Sequence, residues 1–393
     1  MKRFLSVFLS LSLCFSLLFS VGTVSFAADT KKDFSLLFIG NSYAEDSAVQ
    51  HLYPILCDLG YDDIKIGVLR IGYCSLETHK DNLDNAKNEY TYFYISSENN
   101  GEVKKTENVS IQTAIKSYDW EYVSLQQNAR NSGLAETYDD AAYIYEKVLG
   151  FVPDAKLVWN MTWSYGVYSG SEDFEIYSYD QMNMYNLIVE AVQTKILPMN
   201  NITVIPNGTA IQNIRTVYPD SVITRDMHHM SYEFGRFLAA MTVAKAITGR
   251  NISVVKYCPA ELTEKQKVDI ITAVNMADAD PYAVTDIKGL TDAKASAFSS
   301  INDLISTGFA TEAMLKTASE AKALITAETS FEKVNELSAS YYNTLYLLER
   351  EAEGYCIKQI SGICNTYNDN KDVPVIGIIL RLFHKIVHFF WGR

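Results

Sequence analysis

The sequence has few cysteines, and their spacing does not match a metal site. The 393 residues include six cysteines. No Cys-x-x-Cys pair or cysteine–histidine cluster has the spacing of zinc ligands, so we expect no structural metal. Five cysteines follow residue 27, and an odd number in a large chain does not indicate a disulfide framework. These are Cys57, Cys74, Cys258, Cys356 and Cys364.

Positive charge is also scarce. The chain has 34 Lys and Arg residues against 47 Asp and Glu residues, a formal net charge of −13 at pH 7. An acidic protein is repelled by phosphate backbones and by anionic surfaces. We therefore expect no nucleic-acid partner, and a substrate or partner that is neutral or small.

Residues 1–27 have the pattern of a secretory signal peptide. Lys2 and Arg3 precede a long apolar run, and Ser25-Phe26-Ala27 is an A-x-A-like cleavage site. Cleavage after Ala27 would leave 366 residues with a formal charge of −15, enough for one large domain or two smaller ones. We expect a secreted, extracellular protein. A retained membrane anchor is the alternative, but no positive cluster follows the apolar run.

Five apolar runs rich in β-forming residues alternate with helical patterns. The runs are Phe34–Ile39, Ile64–Leu69, Tyr122–Leu125, Leu157–Met161 and Ile202–Pro206. The helical patterns are Ala48–Leu59, Tyr138–Val148, Gln181–Ile196, Ser231–Ile247 and Glu264–Ala277. Such alternation indicates a parallel sheet, and continuous apolar runs indicate strands buried on both faces. We predict a three-layer α/β/α domain over residues 28–286 with a five-stranded parallel sheet.

The remainder of the chain changes character after Pro281. Apolar residues at helical spacing predict a small all-α bundle over residues 287–370, to which we assign no chemistry. Residues 371–393 form an amphipathic pattern, and the charges interleaved through residues 374–391 disfavour a membrane span. This helix would lie at a membrane or cell-envelope surface, or else dock on the bundle.

The stretch FIGNSYAEDS places Ser42 directly after the first predicted strand. Glycine tolerates the backbone angles of a sharp turn, so Gly40-Asn41-Ser42 would present the hydroxyl at the carboxyl end of the strand. Open α/β sheets bind ligands at that edge. Ser42 is thus a candidate nucleophile, although the same three residues are also ordinary turn chemistry.

A second candidate group follows the last predicted strand. In the segment RDMHHMSYEFGR, Asp226 and His229 are three residues apart, just before a predicted helix. At this spacing the carboxylate can fix the tautomer of the imidazole, leaving the other ring nitrogen free to deprotonate a serine. His228 is a competing base, and a satisfied surface turn is the alternative.

The order of these motifs resembles the SGNH/GDSL hydrolase superfamily, in particular a little-characterised bacterial branch similar to carbohydrate O-acetylesterases. The resemblance implies a flavodoxin-like sheet and a triad of Ser42, His229 and Asp226. It also implies an oxyanion hole made by the backbone of Ser42, by Gly72 in RIGYCSLETH, and by Asn128 in VSLQQNARNSG. Gln126 and Ala129 depart from the superfamily's usual Gly-x-Asn-Asp pattern, so an amide from Gln127 or Gln126 is an alternative donor. Family members need no metal or organic cofactor.

Trp163 and Tyr165 follow the fourth predicted strand and could stack on a sugar ring, or else be core aromatics. Glu77 and His79 could line the pocket, or be solvated loop residues. The resulting hypothesis is an exported serine esterase that removes short acyl groups, most simply acetyl, from sugar hydroxyls. Lipase or thioesterase activity would use the same triad. The rival from another class is a catalytically silent cell-envelope binding or adhesion module.

Overall fold

A computed structural model of the chain describes residues 32–308, 310–328 and 330–369, with backbone alone for residues 360–369. The predicted signal peptide and the amphipathic segment at residues 371–393 lie outside the described residues. Within the described ranges no helix is long and apolar enough to cross a membrane.

One seven-stranded sheet organises the first two thirds of the chain. Its strands are β1 (Asp33–Gly40), β2 (Asp63–Arg70), β3 (Tyr90–Ser96), β4 (Lys104–Val109), β5 (Tyr122–Leu125), β6 (Lys156–Asn160) and β7 (Ile202–Ile205). They lie in the order β4-β3-β2-β1-β5-β6-β7. The five strands from β2 to β7 in this order pair in parallel. The carboxyl ends of β1, β5, β6 and β7 therefore meet at one edge of the sheet.

The predicted count of five strands is corrected to seven. All five apolar runs form strands, and they are the parallel part of the sheet. The structure adds β3, which pairs antiparallel with β2, and β4, which pairs antiparallel with β3 at one side of the sheet. β4 has the sequence KKTENV and is exposed over its first five residues. An edge strand needs no continuous apolar run, so a search for buried runs does not find it.

Thirteen helices accompany the sheet in the described ranges. They are α1 (Ser42–Ala48), α2 (Leu52–Asp58), α3 (Leu76–Asp84), α4 (Ile111–Ile115), α5 (Asp140–Phe151), α6 (Gln181–Ala191), α7 (Asn207–Arg215), α8 (Asp220–Ile223), α9 (Phe234–Thr248), α10 (Glu264–Ala279), α11 (Ile287–Ile305), α12 (Glu312–Ala327) and α13 (Phe331–Asp369). Helix α9 packs against α1, α2, α7 and α10, whereas α3, α4 and α5 pack together as a second group. These two groups are the outer layers of a three-layer α/β/α fold.

Local sequence explains several helix ends. The Asp180 side chain accepts hydrogen bonds from two backbone N–H groups at the start of α6. Thr263 and Gln266 form a capping box at the start of α10. The predicted helix Ala48–Leu59 is instead two short helices, α1 and α2, interrupted before Leu52.

The C-terminal helical region begins where the Asp286 side chain caps α11 by accepting from the Gly289 N–H. Helices α11, α12 and α13 pack on one another around buried residues that include Ile301, Met314 and Leu345. The described chain therefore has an α/β part followed by a helical part. The boundary proposed at residue 286 stays a prediction.

Candidate active site

Ser42 lies at the start of α1, one turn residue beyond the end of β1. The Asn41 side chain caps this helix, accepting from the Tyr43 N–H at 3.0 Å. A Cβ on Gly40 would lie 2.9 Å from the Ala44 Cβ and 3.0 Å from the Gln126 side chain. The turn is so closely packed that only glycine fits at position 40. The strand and helix together hold the Ser42 hydroxyl at the carboxyl edge of the sheet.

The structure brings His229 and Asp226 to Ser42 from a distant part of the chain. The Ser42 Oγ lies 2.9 Å from the His229 Nε2, and the His229 Nδ1 lies 2.8 Å from the Asp226 Oδ2. Hydrogen bonds at both ring nitrogens set the tautomer, with Nδ1–H donating to Asp226 and Nε2 free to accept from the serine. The three predicted residues therefore form a continuous hydrogen-bonded chain.

The loop that carries Asp226 is shaped by its own carboxylate. Asp226 Oδ1 accepts from the backbone N–H groups of His228 and His229 at 3.0 and 2.6 Å, and Met227 between them has a left-handed φ of 62°. Burial acts to raise the pKa of Asp226, but these hydrogen bonds and the one from the His229 ring outweigh it and lower the pKa. Asp226 is thus an ionised acceptor for the imidazole at neutral pH.

His228, the competing base, does not contact Ser42 in the hydrogen-bonded chain. Its ring packs against Tyr165 and Tyr43, with centroid distances of 4.7 and 5.3 Å. Burial, with a smaller contribution from His229, lowers the pKa of His228 to about 4. His228 is therefore neutral at pH 7 and forms part of the wall of the site.

Asp46 ties the loop of His229 to the helix of Ser42. Its side chain is fully buried and accepts from the Arg225 Nη1 at 3.1 Å, the Arg236 Nε at 2.7 Å and the Met230 N–H at 2.9 Å. Arg225 also donates to the Met230 carbonyl. We call Asp46, Arg225 and Arg236 the Asp46 ion cluster. It fixes both ends of the 225–230 loop on α1.

A chain of buried side-chain amides runs beneath the carboxyl ends of the strands. Asn207 donates to Asn160, Asn160 donates to Gln126, and Gln126 donates to Asn41, each at 2.8 Å. All four side chains are buried, and they follow or end β7, β6, β5 and β1. The Ser47 Oγ lies within 3.5 Å of the Asn160 and Asn207 amides. We call this set the amide chain, and it ends at the residue that caps the Ser42 helix.

Three groups of the predicted oxyanion hole have hydrogens that no hydrogen bond within the described residues uses. Within the described residues the backbone N–H groups of Ser42 and Gly72 have no protein acceptor. Asn128 donates one amide hydrogen to the Tyr73 carbonyl at 3.1 Å, which leaves its second amide hydrogen available. A Cβ on Gly72 would meet no atom within 4 Å, so this backbone borders open space.

The alternative donors Gln127 and Gln126 both make hydrogen bonds inside the protein. The Gln127 amide nitrogen donates to Thr137, and its oxygen accepts from the Leu76 and Asn128 N–H groups. The prediction of an oxyanion donor at Gln127 is therefore corrected, because its amide nitrogen is already bonded twice inside the protein. Gln126 belongs to the amide chain and donates one amide hydrogen to Asn41, so, like Asn128, it keeps a second amide hydrogen.

The site opens into a cleft of about 320 Å³. Its walls are Asn41, Ser42, Tyr43, Arg70, Gly72, Tyr73, Ala129, His228 and His229. Tyr73 is 48% exposed and donates to Asp173 across the rim. The cleft is small, with one exposed aromatic ring and one permanently charged side chain, Arg70.

The expected sugar-stacking residues are corrected. Trp163 and Tyr165 are both fully buried, and Trp163 stacks on Tyr43 at 4.0 Å while its indole N–H donates to the His228 carbonyl. Neither ring can reach a substrate, so their role is to support the site from behind. His79 is buried too, bound to Tyr90, and Glu77 is an exposed residue of α3.

Sequence reasoning missed Asp46, Arg225, Arg236 and most of the amide chain. A usable signal existed for the amides, since Asn41, Gln126 and Asn160 each stand at or directly after a strand end. No comparable signal marked the ion cluster, which joins positions about 180 residues apart. Among the described residues no group of three or more His, Cys, Asp or Glu side chains could hold a metal ion.

Fold and site together define a three-layer α/β protein with a Ser-His-Asp arrangement at the carboxyl edge of its sheet. The chain matches the family described as "Domain of unknown function (DUF4886)" over residues 35–277, and it belongs to that family. A crystal structure of a DUF4886 family protein from Bacteroides uniformis is 30% identical, with a TM-score of 0.63, and the match covers 65% of this chain and 99% of that one.

More distant matches include a proposed SGNH hydrolase from Slackia heliotrinireducens and a proposed GDSL-like lipase from Parabacteroides merdae. They are 16% and 12% identical, with TM-scores of 0.35 and 0.39. The matches cover 55% and 56% of this chain, and 100% and 98% of theirs. At this distance they carry no argument about activity. No curated protein matches the chain.

Proposed function

We propose that this protein is an exported serine esterase that hydrolyses short-chain O-esters, most simply acetyl esters of carbohydrates. The observation that carries the proposal is the chain from the Ser42 Oγ through His229 to Asp226, with contacts of 2.9 and 2.8 Å at the mouth of a cleft. A silent binding module would have no need for this alignment, which is supported by two buried polar networks.

In the proposed reaction the Ser42 Oγ attacks the ester carbonyl carbon while the His229 Nε2 takes its proton. Asp226 stabilises the imidazolium that results. The tetrahedral intermediate collapses as His229 gives the proton to the leaving alcohol, and an acyl-serine remains. Water then attacks the acyl-serine by the same route and releases the carboxylic acid.

The developing oxyanion would accept hydrogen bonds from the Ser42 and Gly72 N–H groups and from the second amide hydrogen of Asn128. Preorganised donors of this kind are each worth roughly 3 kcal/mol of barrier. Asn128 also holds the Tyr73 carbonyl, so it would position Gly72 in addition to donating.

The walls of the cleft favour a short acyl group. Tyr43, Tyr73 and His228 crowd the space beside Ser42, and the cavity of about 320 Å³ must also admit part of the leaving alcohol. The carbohydrate part of the proposal rests on the resemblance of the motifs. Tyr73, as the exposed ring at the cleft, is the candidate to contact a sugar face.

The test is acetate release from 4-nitrophenyl acetate and from acetylated oligosaccharides. We expect the wild-type chain to be active and Ser42→Ala or His229→Ala to lose at least about 10⁴-fold in kcat. Ser300→Ala is the matched control, since Ser300 lies on α11 and bonds to its own helix. It should retain the wild-type rate.

A fluorophosphonate probe supplies a readout that does not depend on the choice of ester. Intact-mass measurement should show one adduct on the wild-type chain and on Ser300→Ala, and none on Ser42→Ala. Equal acetate release by wild type and Ser42→Ala would overturn the proposal, as would an adduct on the Ser42→Ala chain.

A further inference from the structure

Arg70 places a positive charge beside the candidate nucleophile. β2 ends at Arg70, which lies opposite Gly40 in the register of β1 and β2, and the Ile71 N–H donates to the Gly40 carbonyl at 3.2 Å. The side chain is 37% exposed and lines the same cleft as Ser42. It is therefore fixed at the edge of the sheet and accessible to a ligand.

The pairing of Arg70 leaves its outer nitrogens available. Its Nε lies 3.2 Å from Glu45 Oε2, and neither terminal nitrogen has a hydrogen bond to the described residues. Glu45 is shared, since its other oxygen lies 3.3 Å from Arg236. The buried Nε makes no hydrogen bond in this contact, so Glu45 holds Arg70 by charge alone and the terminal nitrogens stay open for a second anion.

The charges connected to Arg70 do not balance. Ion pairs join it through Glu45 to the Asp46 ion cluster, giving three arginines and two carboxylates. Within these ion pairs one positive charge is left over, and Arg70 is the arginine of the network that lines the cleft. The ionised Asp226 also lies at the site and the chain has a formal charge of −13, so attraction of an anion depends on direct contact with the Arg70 guanidinium.

We propose that Arg70 binds a carboxylate on the alcohol part of the ester, so that the preferred substrates are short-chain acyl esters of hydroxy acids such as acidic sugars. The inference rests on the proposed function. Because a short acyl group carries no charge, the anion belongs to the leaving alcohol. A guanidinium fork suits a carboxylate geometrically, and the remaining cleft walls offer no second permanent cation.

The test compares 4-carboxyphenyl acetate with its methyl ester, two acetyl esters that differ in one negative charge. We expect Arg70→Gln to lower the ratio of kcat/KM for the charged ester to kcat/KM for the neutral ester by about tenfold. Arg70→Lys should retain part of the preference. Because the ratio is taken within each variant, differences in folded fraction cancel. The intrinsic reactivities of the two esters cancel when the ratios of two variants are compared.

Lys156→Gln is the matched control, because Lys156 starts β6 at the opposite edge of the sheet and pairs with Glu121 at 3.1 Å. Its ratio should equal that of the wild type. An unchanged ratio in Arg70→Gln, or an equal fall in Lys156→Gln, would overturn the inference while leaving the esterase intact. Absence of Ser42-dependent hydrolysis of both esters would instead overturn the proposed function, and the inference with it.

Discussion

The open face of the site and the polar layer beneath it use the same residue types for different purposes. At the surface, Asp226 and His229 have side chains that are 47% and 26% exposed, and Asp226 contacts its own loop and one imidazole. Below, Asp46 has a fully buried side chain and contacts two arginines and a backbone N–H. The exposed carboxylate can orient an imidazole and stabilise its protonated form, whereas the buried one holds two segments together.

This difference explains why so much polarity is buried near one edge of the sheet. A buried amide or carboxylate without partners costs several kcal/mol, but a fully bonded one fixes its neighbours in a single geometry. The amide chain and the Asp46 ion cluster both end on the short helix α1. The position of Ser42 therefore depends on buried residues that do not line the cleft, among them Asp46 and Asn160.

The comparison is tested most strongly by exchanging the two aspartates for asparagine. Asp226→Asn should lower kcat/KM by about 10³ to 10⁴, since the wrong tautomer of His229 would be held, and should leave the unfolding midpoint nearly unchanged. Asp46→Asn should instead destabilise the fold by about 3 to 5 kcal/mol, because two arginines would lose their buried carboxylate.

Urea denaturation and ester hydrolysis, measured on both variants, separate the two effects. If Asp226→Asn loses as much stability as Asp46→Asn, the two aspartates do not have the different roles assigned to them. The same conclusion follows if Asp46→Asn, assayed at urea concentrations well below its unfolding midpoint, is as inactive as Asp226→Asn.

Acid pH should lower the stability of the fold through His79, a buried histidine of α3 that lies outside the polar layer. Burial lowers the pKa of His79 to about 3, against about 6.5 in an unfolded chain, so the unfolded state binds the extra proton between these values. Stability is then fully present above about pH 6.5 and falls as the pH drops towards 3. The fall in unfolding free energy between pH 7 and pH 5 should be smaller in His79→Gln by roughly 2 kcal/mol.

Tyr90→Phe is the control for this experiment. It removes the hydrogen bond of 2.7 Å to His79 but leaves the imidazole in place. It should therefore lower the unfolding free energy at both pH values and leave its change between pH 7 and pH 5 as in the wild type. If the unfolding free energy of His79→Gln falls between pH 7 and pH 5 by as much as that of the wild type, His79 does not remain neutral in the folded protein.

The smallest expected effect concerns the amide chain. Asn160→Ala would leave the Gln126 oxygen and the Asn207 nitrogen without their partner, at about 1 to 3 kcal/mol of stability, and should lower kcat because Asn41 is held less firmly. Asn213→Ala is the matched control. Asn213 is also fully buried, but it bonds to Ala273 and Thr285, which do not belong to the amide chain.

Both variants should lose similar stability in urea titrations, and only Asn160→Ala should change kcat at saturating substrate. An equal kcat for the two variants would mean that the amide chain supports the fold without positioning the Ser42 turn.

Much of the fold could be predicted from the sequence. The five parallel strands are marked by apolar runs, since burial on both faces permits few polar residues, and the predicted α/β region and helical tail follow the same periodicities. The edge strand β4 could not be predicted in this way, because it is mostly exposed and polar and no apolar periodicity marks it. β3, with the sequence YTYFYIS, is rich in β-forming residues and does carry a strand signal, which the prediction of five strands overlooks.

Some residues of the candidate site could also be predicted from the sequence, and others could not. Ser42, Asp226 and His229 can be predicted because each stands in a short motif directly after a strand or before a helix, whereas Gly72 and Asn128 follow from the resemblance to a known superfamily and stay predictions as oxyanion donors. Trp163 and Tyr165 were misjudged because an aromatic residue after a strand looks the same in sequence whether it faces a cleft or the core. Their burial depends on Tyr43 and the 226–229 loop, which pack over them.

The sequence by itself determined the parallel sheet, the turn that holds Ser42 and the Asp-x-x-His loop, because turn geometry, strand burial and i to i+3 spacing are local properties. Only the tertiary structure decided that Trp163 and Tyr165 are buried, that Gln127 is bound elsewhere, and that Arg70 lines the cleft. These outcomes depend on contacts between segments far apart in the chain, and such contacts have no local signature.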